Sequence, residues 1–379
     1  MKATDLQTPC YVIDRDRLEA NLKILNGVME RTGCRILLAQ KAFSCYAVYP
    51  LISKYLCGAT ASGLFEARLC HEEMPGRENH VFSPAFREED FSEILKICDH
   101  IVFNSIRQLE LFGPRAKQAG LQVGLRINPQ VSTQPAEHAI YDPCAPGSRL
   151  GVTLEEFRKA SAQTIGLLDG LHFHTLCEQN SDDLETTLNA FEEQFREWLP
   201  QMKWVNFGGG HHITREDYDI PRLESCIGRM KGYGLTVYLE PGEAIALNAG
   251  YLHTQVLEVQ HHAGAMDIAI LDTSAACHMP DVLEMPYRPP LRDSGQPQEK
   301  AYTYRLGGPT CLSGDIIGDY SFDTPLKEGQ TLIFEDMAIY SMVKNNTFNG
   351  MPLPSIYLKQ GSDYPLIKSF TYQDFKSRL

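Results

Sequence analysis

Lys41 closes the apolar run Arg35-Ile-Leu-Leu-Ala-Gln-Lys41 and is followed by Ala-Phe-Ser. A run of that composition reads as a buried strand that carries an amine out of its C-terminal tip. Desolvation there lowers the pKa of an ammonium, and the neutral amine can form an imine with an aldehyde. Taken alone, the position also fits a surface lysine that ends a strand. Three further groups downstream change the balance.

The first is Gly170-Leu-His172-Phe-His174-Thr-Leu-Cys177-Glu178. Strand periodicity puts His172 and His174 on one face and Phe173 on the other. A zinc site of His172, His174 and Cys177 lacks an evident fourth ligand. The pair could instead pack in a core, or His174 could stack on a flat aromatic cofactor. The second group is Gly208-Gly209-Gly210 after Trp204-Val-Asn-Phe. Glycines at such a turn let backbone amides approach a phosphate, helped by the next helix N-terminus, although they also serve plain turns. His211 and His212 beyond them are expected at the rim. The third is Val237-Tyr-Leu-Glu240-Pro-Gly-Glu243. A carboxylate there could pair with a protonated pyridine nitrogen and keep the ring electron-accepting; it could also be an ordinary turn acid. Glu243 could meet a cationic substrate or cap the following helix. Farther on, Gly307-Gly-Pro-Thr-Cys311-Leu-Ser-Gly-Asp315 is a tight loop with a thiol suited to proton donation. Asp336-Met-Ala-Ile-Tyr340 supplies a phenol that could reach a phosphate.

These groups need a scaffold. Short apolar runs recur at Ile36–Ala39, Gly58–Ala61, His80–Ser83, His100–Asn104, Gln122–Asn128, Gly170–His174, Trp204–Phe207 and Thr236–Leu239. Charged helical stretches such as Glu88–Ile97, Ile106–Ala119 and Asp182–Leu199 lie between them. Eight strands alternating with helices predict a (β/α)8 TIM barrel whose site lies at the strand C-termini; a doubly wound sheet is the competing arrangement. After Ala246 the texture turns to strands joined by Pro- and Gly-rich loops, at Leu252–Gln260, Asp267–Asp272, Ala301–Arg305 and Thr331–Glu335. The predicted domains are therefore a barrel over 14–245 and a β-rich domain over 246–379, joined by 1–13 through a strand at Cys10–Ile13. The Pro286–Lys300 loop reads as exposed.

The bulk composition agrees with a soluble enzyme. The chain has 379 residues, 43% hydrophobic and 22% charged, with a formal net charge of −13. That charge argues against a nucleic-acid partner and suits a cationic one. No apolar stretch is long enough to cross a membrane, and the N-terminal residues lack the apolar core of a signal peptide. The 11 cysteines follow no disulfide spacing, so reduced thiols in the cytoplasm are expected.

In this order, Gln40-Lys41-Ala, His174-Thr-Leu-Cys-Glu, Gly208-Gly-Gly, Glu240-Pro-Gly, Gly308-Pro-Thr-Cys311 and Tyr340 resemble the fold type III (alanine racemase-like) PLP-dependent decarboxylases. That family includes diaminopimelate and ornithine decarboxylases. The Glu-Pro-Gly-Glu and Cys277-His-Met-Pro-Asp281-Val-Leu-Glu segments resemble its carboxynorspermidine/carboxyspermidine branch. The resemblance implies pyridoxal 5'-phosphate as cofactor, no metal, and a carboxylated polyamine as substrate. It implies Lys41 as the imine-forming lysine and His174 as the stacking ring. Gly208, Gly209, Gly210 and Tyr340 would hold the phosphate, and Glu240 the pyridine nitrogen. Cys311 would be a proton donor that reaches the site of a second subunit, so a homodimer with shared active sites is expected. Glu243, Asp272, Asp281 and Asp315 are the candidate acids for the substrate amines. Two positions depart from the wider family. Glu243 stands where relatives carry arginine, and Leu312 follows Cys311 where they carry an acid. Ornithine or diaminopimelate as substrate, or a catalytically inactive regulator that binds PLP or polyamine, are the alternatives.

Overall fold

The structure is a computed structural model that describes residues 5–135, 142–262 and 266–379. It divides into two compact units: Ala20–Ile245, and Met1–Glu19 together with Ala246–Leu379.

The first unit is a closed parallel barrel. After a first strand, β1 (Cys10–Asp14), which belongs to the second unit, its staves are β2 (Arg35–Ala39), β3 (Gly58–Ala61), β4 (Glu78–Phe82), β5 (His100–Phe103), β6 (Gln122–Arg126), β7 (Gly170–His172), β8 (Trp204–Asn206) and β9 (Thr236–Leu239). The ring closes where Arg35 and Ile36 pair with Tyr238 and Leu239. Staves covered on both sides bury nearly every residue, which is why they read as continuous apolar runs. The helices between them carry their own end signals. Helix Glu88–Ile97 starts with Glu88, Glu89 and Asp90, matching the positive end of its dipole. Helix Ile106–Gln118 is capped by Ser105, whose Oγ accepts from the Gln108 amide at 3.2 Å.

The lower end of the barrel is packed around aromatic rings. His80 and His100, paired across β4 and β5, stack at 3.9 Å between ring centroids. Trp204 lies 5.4 Å from His100 by the same measure. Its indole fills the space over two glycines: a Cβ on Gly170 would lie 2.1 Å from it, and one on Gly124 2.3 Å. Glu78 pairs with Arg35 and, at 3.0 Å, with His80.

The second unit is a mixed eight-stranded sheet. It adds β10 (Gly250–Gln260), β11 (Asp267–Leu271), β12 (Tyr302–Gly307), β13 (Ile316–Phe322), β14 (Thr331–Glu335), β15 (Ser355–Lys359) and β16 (Leu366–Lys368). The order is β13-β12-β11-β10-β1-β15-β16, and β14 pairs with β10. Strand β1 is central, antiparallel to β10 and parallel to β15. Tyr11, Leu252, Leu271, Tyr320 and Phe334 are among the residues of its core. Strands β13, β15 and β16 were not among those expected. The Pro286–Lys300 loop is largely exposed, as its composition suggests, and is anchored at a few points. Leu291 is buried, and Tyr320 donates its hydroxyl hydrogen to the Pro289 carbonyl at 2.7 Å. The eleven cysteines form no disulfide. Among the described residues no helix is long and apolar enough to cross a membrane.

Candidate active site

Lys41 lies two residues beyond β2, at the C-terminal mouth of the barrel. The buried Gln40 fixes the turn that carries it. Its Nε2 donates to the Glu66 carbonyl at 2.9 Å, its Oε1 accepts from the Tyr49 hydroxyl at 3.0 Å, and its amide donates to the Thr60 carbonyl at 3.2 Å. Lys41 keeps solvent contact through the open mouth, yet the surrounding walls strip much of its hydration. That desolvation and then the Arg126 guanidinium hold its ammonium below the ordinary lysine range, against the pull of Glu240, Glu243 and Cys177.

Glu240 follows β9 and is buried. Its Oε1 accepts from Asn206 Nδ2 at 2.9 Å, and its Oε2 lies 3.2 Å from His172 Nε2. Burial alone would raise its pKa. The hydrogen bonds from His172 and Asn206 outweigh that and bring it down to about 2. Burial holds His172 below the usual histidine range, despite Glu240. The consistent state of the pair is an anionic carboxylate facing a neutral imidazole that donates its Nε2 hydrogen. His172 Nδ1 is buried without a partner.

The loops after β7, β8 and β9 press against one another here. A Cβ on Gly208 would lie 2.6 Å from the Phe173 carbonyl oxygen and from His174 Cβ. One on Gly209 would lie 2.7 Å from the Glu240 carbonyl oxygen and 3.1 Å from His174 Cε1, and one on Gly210 2.2 Å from the Leu176 carbonyl oxygen. Neighbouring backbone therefore demands all three glycines, beyond any ligand's need for close approach. His174 is half-buried. Burial, Lys41 and Arg126 keep its imidazole well below the usual histidine range, so it is a neutral ring. Arg126 Nη2 donates to the His174 carbonyl at 3.2 Å, and its guanidinium lies 4.8 Å from the Phe82 ring centroid.

The mouth thus gathers an amine, a carboxylate kept charged, a neutral flat ring and a glycine loop. Glu240 still has acceptor capacity after its two bonds, since a carboxylate offers about four lone-pair positions. These residues fit a phosphorylated pyridine aldehyde. The chain matches the family described as "Pyridoxal-dependent decarboxylase, C-terminal sheet domain" over residues 10–338.

The chain belongs to the pyridoxal-dependent decarboxylase family.

Individual relatives agree. This decarboxylase is 40% identical to the carboxynorspermidine/carboxyspermidine decarboxylase of Campylobacter jejuni, with 98% of each chain covered. It is also 40% identical to the carboxyaminopropylagmatine decarboxylase of Synechocystis, over 100% of this chain and 97% of that one. Its fold superimposes with a TM-score of 0.90 on a crystal structure of carboxynorspermidine decarboxylase from C. jejuni complexed with norspermidine; identity is 39%, covering 99% of this chain and 100% of that one.

Several residues of this decarboxylase differ from expectation. His211 and His212 are buried rather than at the rim. His211 Nε2 lies 3.3 Å from the Phe207 carbonyl oxygen, and burial pushes its pKa down to about 4. His212 Nε2 lies 3.0 Å from Glu243 Oε2. The zinc arrangement of His172, His174 and Cys177 does not form. Among the described residues the groups with ligand-like spacing are Glu78, His80 and His100, and Glu178, His212 and Glu243. Arg126 and Asn206 had no motif to mark them in the sequence, because each is an ordinary residue near a strand end.

In the second unit Cys311 is exposed, and its amide donates to Asn349 Oδ1 at 2.7 Å. Asp315, expected among the substrate acids, is buried instead. Its carboxylate accepts from Ser274 Oγ at 3.0 Å and Thr310 Oγ1 at 2.7 Å, so it braces the Cys311 loop. Asp281 is paired with Lys344, which also reaches Glu284 at 2.8 Å. Asp272 is half-buried; its Oδ1 accepts from Thr254 Oγ1 at 2.6 Å and from the Gln255 amide at 2.8 Å. Tyr340 is half-buried at a backbone φ of 55°, with Lys344 Nζ 5.9 Å from its ring centroid.

Proposed function

We propose that this decarboxylase removes the carboxylate of carboxynorspermidine or carboxyspermidine, leaving norspermidine or spermidine. The observation that supports this most is Glu243. It stands in the barrel mouth where the wider family carries arginine, and it draws on the Lys41 ammonium electrostatically. An acid there suits an amine-bearing side chain and disfavours the distal carboxylate of diaminopimelate. The C. jejuni relative named for these substrates supports the same reading. The Synechocystis relative supports a second substrate, carboxyaminopropylagmatine, which ends in a guanidinium rather than an amine.

Bound pyridoxal 5'-phosphate supplies the electron sink for the pair released when the Cα–carboxylate bond breaks. Lys41, with its lowered proton affinity, is the amine that would hold the cofactor aldehyde. Anionic Glu240 would hold a proton on the ring nitrogen of the bound cofactor. His174, being neutral, can lie against the ring without adding a second cation. Gly208, Gly209 and Gly210 would present backbone to the phosphate. Cys311 returns a proton to Cα. It does so as a residue of a second subunit in a homodimer, a role that fits its exposure. Unpaired thiols fit work in the cytoplasm. Asp272 remains the candidate acid of the second unit.

The test is CO2 release from carboxynorspermidine, carboxyspermidine, carboxyaminopropylagmatine, diaminopimelate and ornithine side by side. The first two are expected to give the highest kcat/KM. Best turnover of diaminopimelate or ornithine would overturn the reading.

A further inference from the structure

Arg126 ends β6 and is buried, with a relative exposure of 5%. Among the described residues its side chain makes one hydrogen bond, to the His174 carbonyl, and its flat face lies over Phe82. Glu240 acts on it through space but bonds His172 and Asn206 instead. A guanidinium carries several N–H donors in a planar fork, and a buried charge without a counter-charge is costly. Burial lowers the pKa of this one to about 10 despite the pull of Cys144 and Glu240. None of its nitrogens is sealed in protein without a partner, so the spare donors open on the mouth, where Lys41 feels their charge. An anionic atom of a ligand would complete the arrangement.

We propose that Arg126 is a cofactor-binding residue that holds the phenolic oxygen of pyridoxal 5'-phosphate as an anion. This deepens the proposed function and rests on its assignment of Lys41, His174 and the glycine loop. The order of the staves carries the argument. Strand β7 lies between β6 and β8, with His172 in register with Arg126 on one side and Asn206 on the other. A ring lying on His174, just past β7, therefore has one flank toward the Gly208–Gly210 loop after β8 and the other toward Arg126. In the cofactor the hydroxyl and the phosphate arm stand on opposite flanks of the aldehyde carbon. With the phosphate at the glycine loop, the hydroxyl faces Arg126. The lean of the guanidinium toward Phe82, at the end of β4, takes it farther from the phosphate side.

The experiment strips the holoenzyme of cofactor and reconstitutes it with pyridoxal 5'-phosphate or with 3-deoxypyridoxal 5'-phosphate, which has hydrogen in place of the hydroxyl. Wild type is expected to bind the first at least about tenfold tighter, the effect of a hydrogen bond to a charged group in a buried site. Arg126→Met should lose most of that preference while the deoxy compound binds as before. Arg126→Lys, which keeps the charge and loses the fork, should restore part of it. Colour gives a second reading: wild type should hold the yellow band of the phenolate form, and Arg126→Met should pass part of it to the near-ultraviolet band of the neutral phenol. A preference unchanged in Arg126→Met overturns the assignment, as does a band that stays in place. Equal weakening of both compounds also overturns it, because that puts Arg126 on the phosphate or in the fold alone. A protein that shows the preference and the band shift, yet releases no CO2 from any carboxylated polyamine, overturns the proposed function and leaves Arg126 in its role.

Discussion

Replacing Glu240 with glutamine separates the charge of this residue from its shape. Burial would raise the pKa of the carboxyl, but hydrogen bonds from His172 and Asn206 hold it at about 2, so the folded protein favours its anion. Glutamine keeps the volume and one acceptor. Its amide NH2 must then face either Asn206 Nδ2 or His172 Nε2, both of which donate to Glu240. The histidine has a way out. Its Nδ1 is buried and unpartnered, so the ring proton can move there and leave Nε2 to accept from the new amide. Stability should therefore fall by only about 1–2 kcal/mol, the worth of a charge-assisted hydrogen bond made ordinary. Catalysis has no such escape, because a neutral amide cannot hold a ring-nitrogen proton. Loss of one preorganised electrostatic partner costs on the order of 100-fold or more in kcat. Denaturant unfolding of the holoenzyme and initial rates of CO2 release, measured on the same preparation, give both numbers. A kcat within threefold of wild type would refute the role given to Glu240. A loss of stability far above 2 kcal/mol would refute the tautomer argument.

Four further outcomes follow from the same geometry. Lys41→Ala should abolish turnover, and borohydride should no longer fix the cofactor to the chain, as read by mass spectrometry. Cys311→Ala should lower kcat at least about tenfold; mixing it with Lys41→Ala chains should recover activity, and no recovery would exclude shared sites. Gly209→Ala puts a methyl 2.7 Å from the Glu240 carbonyl oxygen, so a loss of about 1–3 kcal/mol is expected in the denaturant midpoint, with kcat falling alongside it. The fourth concerns acid. Burial first, and then His80, lower His100 from 6.5 to about 3. An unfolded chain binds that proton from pH 6.5 downward, whereas the folded one refuses it until about 3. The contribution is therefore present above pH 6.5 and drains away below it, by about 2 kcal/mol between pH 7 and pH 5. His100→Phe keeps a ring against His80 without the titration, so its stability should fall less over that interval; parallel pH curves for the two proteins would contradict this.

The barrel was legible because its strands are buried on both faces. Gly58–Ala61 and Thr236–Leu239 carry the same bounds in sequence and structure, each run ending at a polar residue, Ser62 or Glu240. The β-rich unit was harder. Strand β13, Ile-Ile-Gly-Asp-Tyr-Ser-Phe, has glycine and aspartate inside it, and β16 is exposed along its length, so neither shows a clean alternation. At the mouth, Lys41 and Glu240 could be found because each ends a run. The partners that tune them could not. Asn206 bonds Glu240 across neighbouring staves, Arg126 acts through the His174 carbonyl, and His212 reaches Glu243 from a different loop. Such bonds depend on which strands lie side by side, and that information is absent from local pattern. Asp315 misled for the opposite reason: a loop acid in sequence is taken to face water, and only the packing reveals that Thr310 and Ser274 enclose it.

The position of β1 in its sheet bears on how the chain must be made. Asp14 and Lys359 form an ion pair although 345 positions separate them, and Tyr11 bonds the His278 carbonyl across 267. A ribosome releases this five-residue, wholly buried strand long before β10 or β15 exists to flank it. The nascent chain therefore carries an unpaired apolar segment throughout synthesis of every barrel stave, and the sheet of the second unit cannot close around it until β15 has emerged.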